Sequence, residues 1–153
     1  FGFKTPYSGV LKYAIIFKYM PNELILRPIY ADTDAEGVVY YAVYLEWMER
    51  GRTETIRDTG YTVADFKKEG IIFAVRRAEI DYYAPARYDE LILIKTKIVE
   101  IKGATITFEH EIINKETEQL LVGGKILLVA LKSESLKPTR VPEKLVKALH
   151  SSD

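Results

Sequence analysis

The chain has 153 residues, enough for one domain with a sizeable core and too few for two ordinary ones. Lysine plus arginine and aspartate plus glutamate both total 22, so the formal net charge is zero and no broad attraction to nucleic acid is indicated. Cysteine is absent, which excludes disulfides, thiolate metal sites and a cysteine nucleophile, and the two histidines, His110 and His150, stand too far apart for a His-rich zinc site.

Residues 1–19 read differently from the rest. The apolar stretch Tyr13 to Phe17 is flanked by Lys12 and Lys18, too short for a membrane span or a secretory signal. The segment reads as an upstream extension, non-native or poorly structured, with Met20 as the natural start and residues 20–153 as a single domain. The lack of cysteine fits a reducing cytoplasm. Asn22, Asn114 and Gln119 are the only amide side chains, and Glu and Lys abound, a bias found in proteins of heat-loving sources.

From Glu23 to Ala31 the pattern is β-prone, and Pro28 places it at a sheet edge or bulge. Asp32 to Gly37 is rich in turn formers. The spacing of Tyr44, Trp47, Met48, Gly51 and Thr55 predicts a helix from about Val39 to Thr59 with that stripe buried. Charges, Arg52 among them, occupy its other faces, and Gly60 ends it. Gly51 in mid-helix costs about 1 kcal/mol against alanine, which points to a close approach by another backbone. A short helix follows from Thr62 to Lys68, capped by Thr62 and stopped by Gly70.

The period then shortens to two. Ile72 to Tyr83, Glu90 to Ile101, Ala104 to Asn114 and Leu120 to Leu131 read as four strands whose short joins predict a meander of antiparallel neighbours. His110, between Glu109 and Glu111, reads as a surface or interface residue. A last small helix, Val141 to His150, opens at Pro142. Strands and helices are segregated, so the class is α+β: one antiparallel five-stranded sheet with the long helix on one face.

Two carboxylates, Asp32 and Asp34, precede the long helix, and local sequence alone favours a capping role for such a pair. The run Tyr30-Ala-Asp-Thr-Asp34-Ala-Glu-Gly37-Val-Val-Tyr-Tyr41 nevertheless resembles the signature of 4-hydroxybenzoyl-CoA thioesterase-like proteins, including the small thioesterases encoded with the Tol-Pal system. Tyr44 to Glu54 resembles that family's central helix, and Val75 to Asp89 its second strand and turn; the match runs in register from Leu24 to Leu149.

The resemblance implies a hotdog fold, a curved sheet wrapped around one long helix. It implies subunits paired edge to edge as dimers, often as tetramers, with sites at the interface. It also implies an acyl-CoA thioesterase that needs no metal or redox cofactor. Asp34 matches the catalytic aspartate, nucleophile or general base, and Tyr41 the residue whose backbone N–H polarises the thioester carbonyl. Gly37, Val39, Glu49, Arg76 and Lys102 fall at substrate or CoA contacts. An acyl carrier protein as carrier, or an acyl-CoA-binding protein without catalysis, are the other readings. Many relatives hold His at the Tyr41 position, which a backbone role tolerates.

Overall fold

The computed structural model describes residues 21–150; the extension expected over residues 1–19 lies outside them. Five strands form one antiparallel sheet: β1 (Asn22–Leu26), β2 (Ile71–Tyr82), β3 (Ile92–Lys102), β4 (Thr105–Asn114) and β5 (Leu120–Lys132), in the order β1-β3-β4-β5-β2. Strand alternation drives this arrangement: Ile92, Ile94, Thr96 and Ile98 of β3 are buried, as are Ile106, Phe108, His110 and Ile112 of β4. Register shifts at Val75/Arg77, Ile98/Glu100 and Ile112/Ile113 mark bulges, which bend strands and raise their twist. The sheet curls around helix α1 (Val43–Arg57) in the expected hotdog arrangement.

The expected meander holds for β3, β4 and β5 but not for β2, which pairs with β5 at the opposite end of the sheet from β1. The link from β2 to β3 is not a hairpin. Tyr83 and Ala84 donate to the Leu121 carbonyl, Ala86 packs fully buried near the start of α1, and Lys115 donates to Leu91. The nine residues between the strands run across the sheet end, a span an extended chain of that length covers with ease. Link length alone could not separate a turn from this crossing.

Helix α1 lies over β1, β3 and β4, while the short helix α2 (Val63–Lys68) lies over the start of β2. Thr62 caps α2 as expected: its Oγ1 accepts from Asp65 N–H at 3.1 Å, and Asp65 accepts from Thr62 N–H at 2.8 Å. Phe66, wholly buried, stacks edge-on against Phe73 of β2. Helix α3 (Glu143–His150) buries Leu145 and Leu149 and sits beside α2, where Lys144 pairs with Glu69 and lies over the Phe66 ring.

Gly51 is explained by close approach, though to a side chain rather than to backbone. A Cβ there would stand 2.1 Å from Thr96 Oγ1 of β3. Two expectations about polar residues fail in the same region. His110 is only 2% exposed, because alternation along β4 turns Glu109 and Glu111 outward and His110 toward α1. Arg52 is only 8% exposed, because it follows Met48 by four residues and shares its inward face.

Candidate active site

The segment before α1 is held by backbone bonds rather than by packing. Thr33 and Val39 form an antiparallel bridge, Asp34 N–H donates to Val38 at 2.9 Å, and Gly37 N–H returns to Asp34 at 3.0 Å. Gly37 turns the loop with φ +79°, a conformation that few side chains tolerate. A second bridge, Val38 to Arg87, and a 2.9 Å bond from Val39 N–H to Ala86 fasten the loop to the β2–β3 crossing.

The two carboxylates part company here. Asp32 Oδ2 accepts the Ile29 N–H at 2.9 Å, closing the one-turn 3-10 helix Tyr30–Asp32. Asp34, half-buried, accepts only the Glu36 N–H at 2.8 Å through Oδ1, and no hydrogen bond is formed by Oδ2 among the described residues. Its charge is felt by the next tyrosines. Tyr40 is held above the usual phenol range chiefly by its hydrogen bond with Tyr41, with Asp34 adding to the effect. Tyr44 is raised chiefly by burial, again with an Asp34 contribution.

Helix α1 begins later than the sequence suggests, at Val43 rather than Val39, because residues 37–42 complete the bridged loop. Its N-cap is Ala42, which offers no capping side chain. Val43 N–H donates to Tyr40, but Tyr41 and Ala42 N–H reach no backbone carbonyl among the described residues. Open N–H groups at the positive end of a helix dipole form a site for developing negative charge.

Tyrosines fix this mouth. Tyr82 Oη donates to the Tyr41 carbonyl at 2.9 Å, and Tyr44 Oη accepts the Ala86 N–H at 2.9 Å. The Tyr44 and Tyr82 rings meet edge-on, with centroids 5.7 Å apart. Tyr41 itself is 62% exposed.

Among the remaining expected contacts, Gly37 and Val39 belong to this loop, although the Val39 side chain is buried in the core and serves packing. Glu49 lies two turns along α1, exposed on the ridge between two clefts. Arg76 is the unpaired residue of the β2 bulge, and its neighbour Arg77 pairs with Glu79. Lys102 ends β3 at the Gly103 turn, while Ile92 begins that strand beside the β2–β3 crossing. Within one chain the length of β3, about 30 Å, therefore separates Lys102 from the Asp34 loop.

In the sequence Tyr44 shows only as part of the core stripe, and Arg52 only as one charge among those on the outer faces of the helix. A charged residue four after Met48 was the available signal.

Among the described residues, two clefts flank α1. One, about 490 Å³, is an open groove beside β1 lined by Leu24 and the polar side chains Glu46, Glu49, Arg50, Thr53 and Glu54. The other, about 110 Å³, lies between α1 and β2 and is mainly apolar, with Phe73, Val75, Phe108 and Leu128 in its wall.

The thioesterase-like superfamily matches residues 30–149 of this chain. The acyl-CoA thioester hydrolase YbgC of Escherichia coli O6:H1 is 37% identical over 121 residues, covering 79% of this chain and 90% of that protein. A probable thioesterase from Bartonella henselae has 40% identity and a TM-score of 0.71, covering 81% of this chain and all of that one. The DHNA-CoA thioesterase from Staphylococcus aureus superposes with a TM-score of 0.81 at 27% identity, covering 86% and 90% of the two chains. The chain belongs to the thioesterase-like superfamily, with its hotdog fold.

Proposed function

We propose that the protein is an acyl-CoA thioesterase in which the Asp34 carboxylate attacks or activates water while the Tyr41 N–H receives the carbonyl oxygen. One observation carries this: a half-buried carboxylate with a free oxygen is fixed by a bridged loop just before an uncapped helix mouth. A thioester carbonyl seated on the open N–H groups would become more electrophilic, and the charge gathering on its oxygen would meet the helix dipole. Asp34 then either forms a mixed anhydride as the thiolate leaves, which water hydrolyses to the free acid and the regenerated carboxylate, or takes a proton from water attacking the same carbon, the tetrahedral intermediate then collapsing to the acid with loss of the thiolate. Relatives named as acyl-CoA thioester hydrolases and thioesterases support the reading.

The proposal extends to self-association. β2 is a twelve-residue edge strand, and among the described residues no strand pairs with its outer side. A long free edge is a template for pairing with a second copy. A dimer joined at β2, alone or doubled into a tetramer, would cover the exposed Val75 and Tyr82 and place the site at the interface. The cysteine-free composition supports a cytoplasmic enzyme. No helix among the described residues is long and apolar enough to cross a membrane.

The test is thiol release from short aliphatic, long-chain and aroyl CoA thioesters, with the same acyl groups on acyl carrier protein in parallel. Turnover of at least one CoA series is expected. Turnover of carrier-protein thioesters alone would change the carrier, and tight binding without turnover would replace the enzyme with a binding protein.

A further inference from the structure

The small cleft between α1 and β2 has a floor that an apolar pocket does not need. Arg52 is 92% buried by its 8% exposure, yet among the described residues it makes no ion pair. Its one hydrogen bond, 3.4 Å from Nη1 to His110 Nε2, engages a single donor of the five a guanidinium carries. His110 is in turn held through Nδ1 by Thr96 Oγ1 at 2.9 Å. Arg52 also lines a cavity of about 110 Å³ whose other walls include Ile56, Phe73, Ile106 and Phe108. Glu49, acceptor-only and one turn earlier, lines the same cavity.

The cavity is joined to the site along β2. Tyr82 bonds the Tyr41 carbonyl at the start of α1, and Phe73 and Val75 line the cavity beside Arg52 and Ile56. Strand and helix therefore run alongside in opposite senses. The face of β2 between these points carries Ile80, Ala78 and Val75, placed opposite Gly124 and the core residues Ile126 and Leu128 of β5. Val75 is 56% exposed and Tyr82 47%, since α1 covers β3 rather than β2. A half-open apolar wall thus leads from the helix mouth to Arg52.

Building on the thioesterase reading, we propose that Arg52 and Glu49 determine acyl specificity, selecting a medium-length aliphatic acyl group with a hydroxyl at its far end. Length follows from the helix: Arg52 lies nine residues after Val43, a rise of about 14 Å, beyond the reach of an acetyl or benzoyl group held at the mouth. A plain methyl end would displace water from the guanidinium without offering it a hydrogen-bond partner, and polar groups desolvated without a partner are costly. A carboxylate end would pair with Arg52 but meet Glu49. A hydroxyl accepts from Arg52 and donates to Glu49, satisfying both. A site built to bond a hydroxyl discriminates strongly against the analogue that lacks it.

The test compares kcat/KM for decanoyl-CoA and omega-hydroxydecanoyl-CoA in the wild-type protein and in the Arg52→Met and Glu49→Gln variants. The wild type should favour the hydroxylated ester by at least tenfold. Arg52→Met should bring the ratio of kcat/KM for the two esters to about one, and Glu49→Gln, an exposed substitution, should weaken the preference severalfold. Equal rates on the two esters in the wild type would overturn the proposal while leaving the thioesterase reading intact. A preference that survives in both variants would also overturn it, and if Arg52→Met fails to fold, Glu49→Gln and the wild-type ratio decide. Hydrolysis of neither ester, nor of any other CoA thioester, would remove the thioesterase reading and this inference together.

Discussion

The Tyr82 hydroxyl, at the last residue of β2, donates a 2.9 Å hydrogen bond to the carbonyl of Tyr41, two residues before α1. The bond holds the peptide on the far side of the Tyr41 residue from the N–H proposed to receive the thioester oxygen. Tyr82 is therefore a positioning residue rather than a catalytic one. Tyr82→Phe keeps the ring contact with Tyr44 and removes the bond. Steady-state kinetics should show kcat lowered about tenfold, equivalent to ~1.4 kcal/mol of barrier, with KM little changed. Denaturant unfolding should show a loss of only about 1 kcal/mol.

Gly51→Ala tests the helix–sheet contact. Alanine is the better helix former by about 1 kcal/mol, but its Cβ would arrive 2.1 Å from Thr96 Oγ1. Overpacking costs typically ~1–3 kcal/mol, and moving Thr96 also disturbs its bond to His110. Urea unfolding should therefore report net destabilisation of about 1 kcal/mol or more, the reverse of the propensity ranking.

Burial, aided by the Arg52 charge, holds His110 well below the usual imidazole range. The unfolded chain takes up this proton at higher pH than the native protein does. The stability that a neutral His110 contributes is thus complete above the unfolded pKa of about 6.5 and is lost as pH falls below it. Until the native histidine itself titrates, the loss from this group approaches ~1.4 kcal/mol per pH unit. Unfolding followed by urea from about pH 7.5 to pH 5 should show the decline, and His110→Gln should flatten it in that window.

The exposed edge and inner face of β2 make a claim about assembly. Val75→Lys places a charge on a face that the proposed pairing would cover. Light scattering after size exclusion should give an even multiple of the chain mass for the wild type and a shift to monomer for the variant. A wild-type monomer at micromolar concentration would contradict pairing at β2.

Most of the fold was legible in the sequence because period and punctuation agree along the chain. Thr62 and Gly70 bracket α2, and the apolar alternation of β3 to β5 carries over into the structure. The position of β2 was not legible, since residues 83–91 contain turn formers yet run across the sheet end, held by carbonyls of distant strands. Nor was the start of α1, where Val39 has the apolar character of a helix residue but is claimed by a bridge to Thr33 and a hydrogen bond to Ala86. At the site, local sequence presented Asp32 and Asp34 as equals; the wider motif chose Asp34, and the structure shows Asp32 occupied with the Ile29 amide. Arg52 and His110 stayed hidden because their burial depends on which strand each faces across the sheet–helix boundary.

The central claim rests on Asp34 acting at the helix mouth, and the most direct measurement is the hydrolysis rate of Asp34→Asn beside Asp32→Asn, both checked for wild-type folding by circular dichroism. The substitution keeps the size of the side chain and an oxygen able to accept from Glu36, so the loop should survive. The expected result is a fall in kcat of at least about 10³-fold for Asp34→Asn, or roughly 4 kcal/mol of barrier, with Asp32→Asn within tenfold of wild type. A folded Asp34→Asn enzyme that hydrolyses its best CoA thioester at the wild-type rate would contradict the claim.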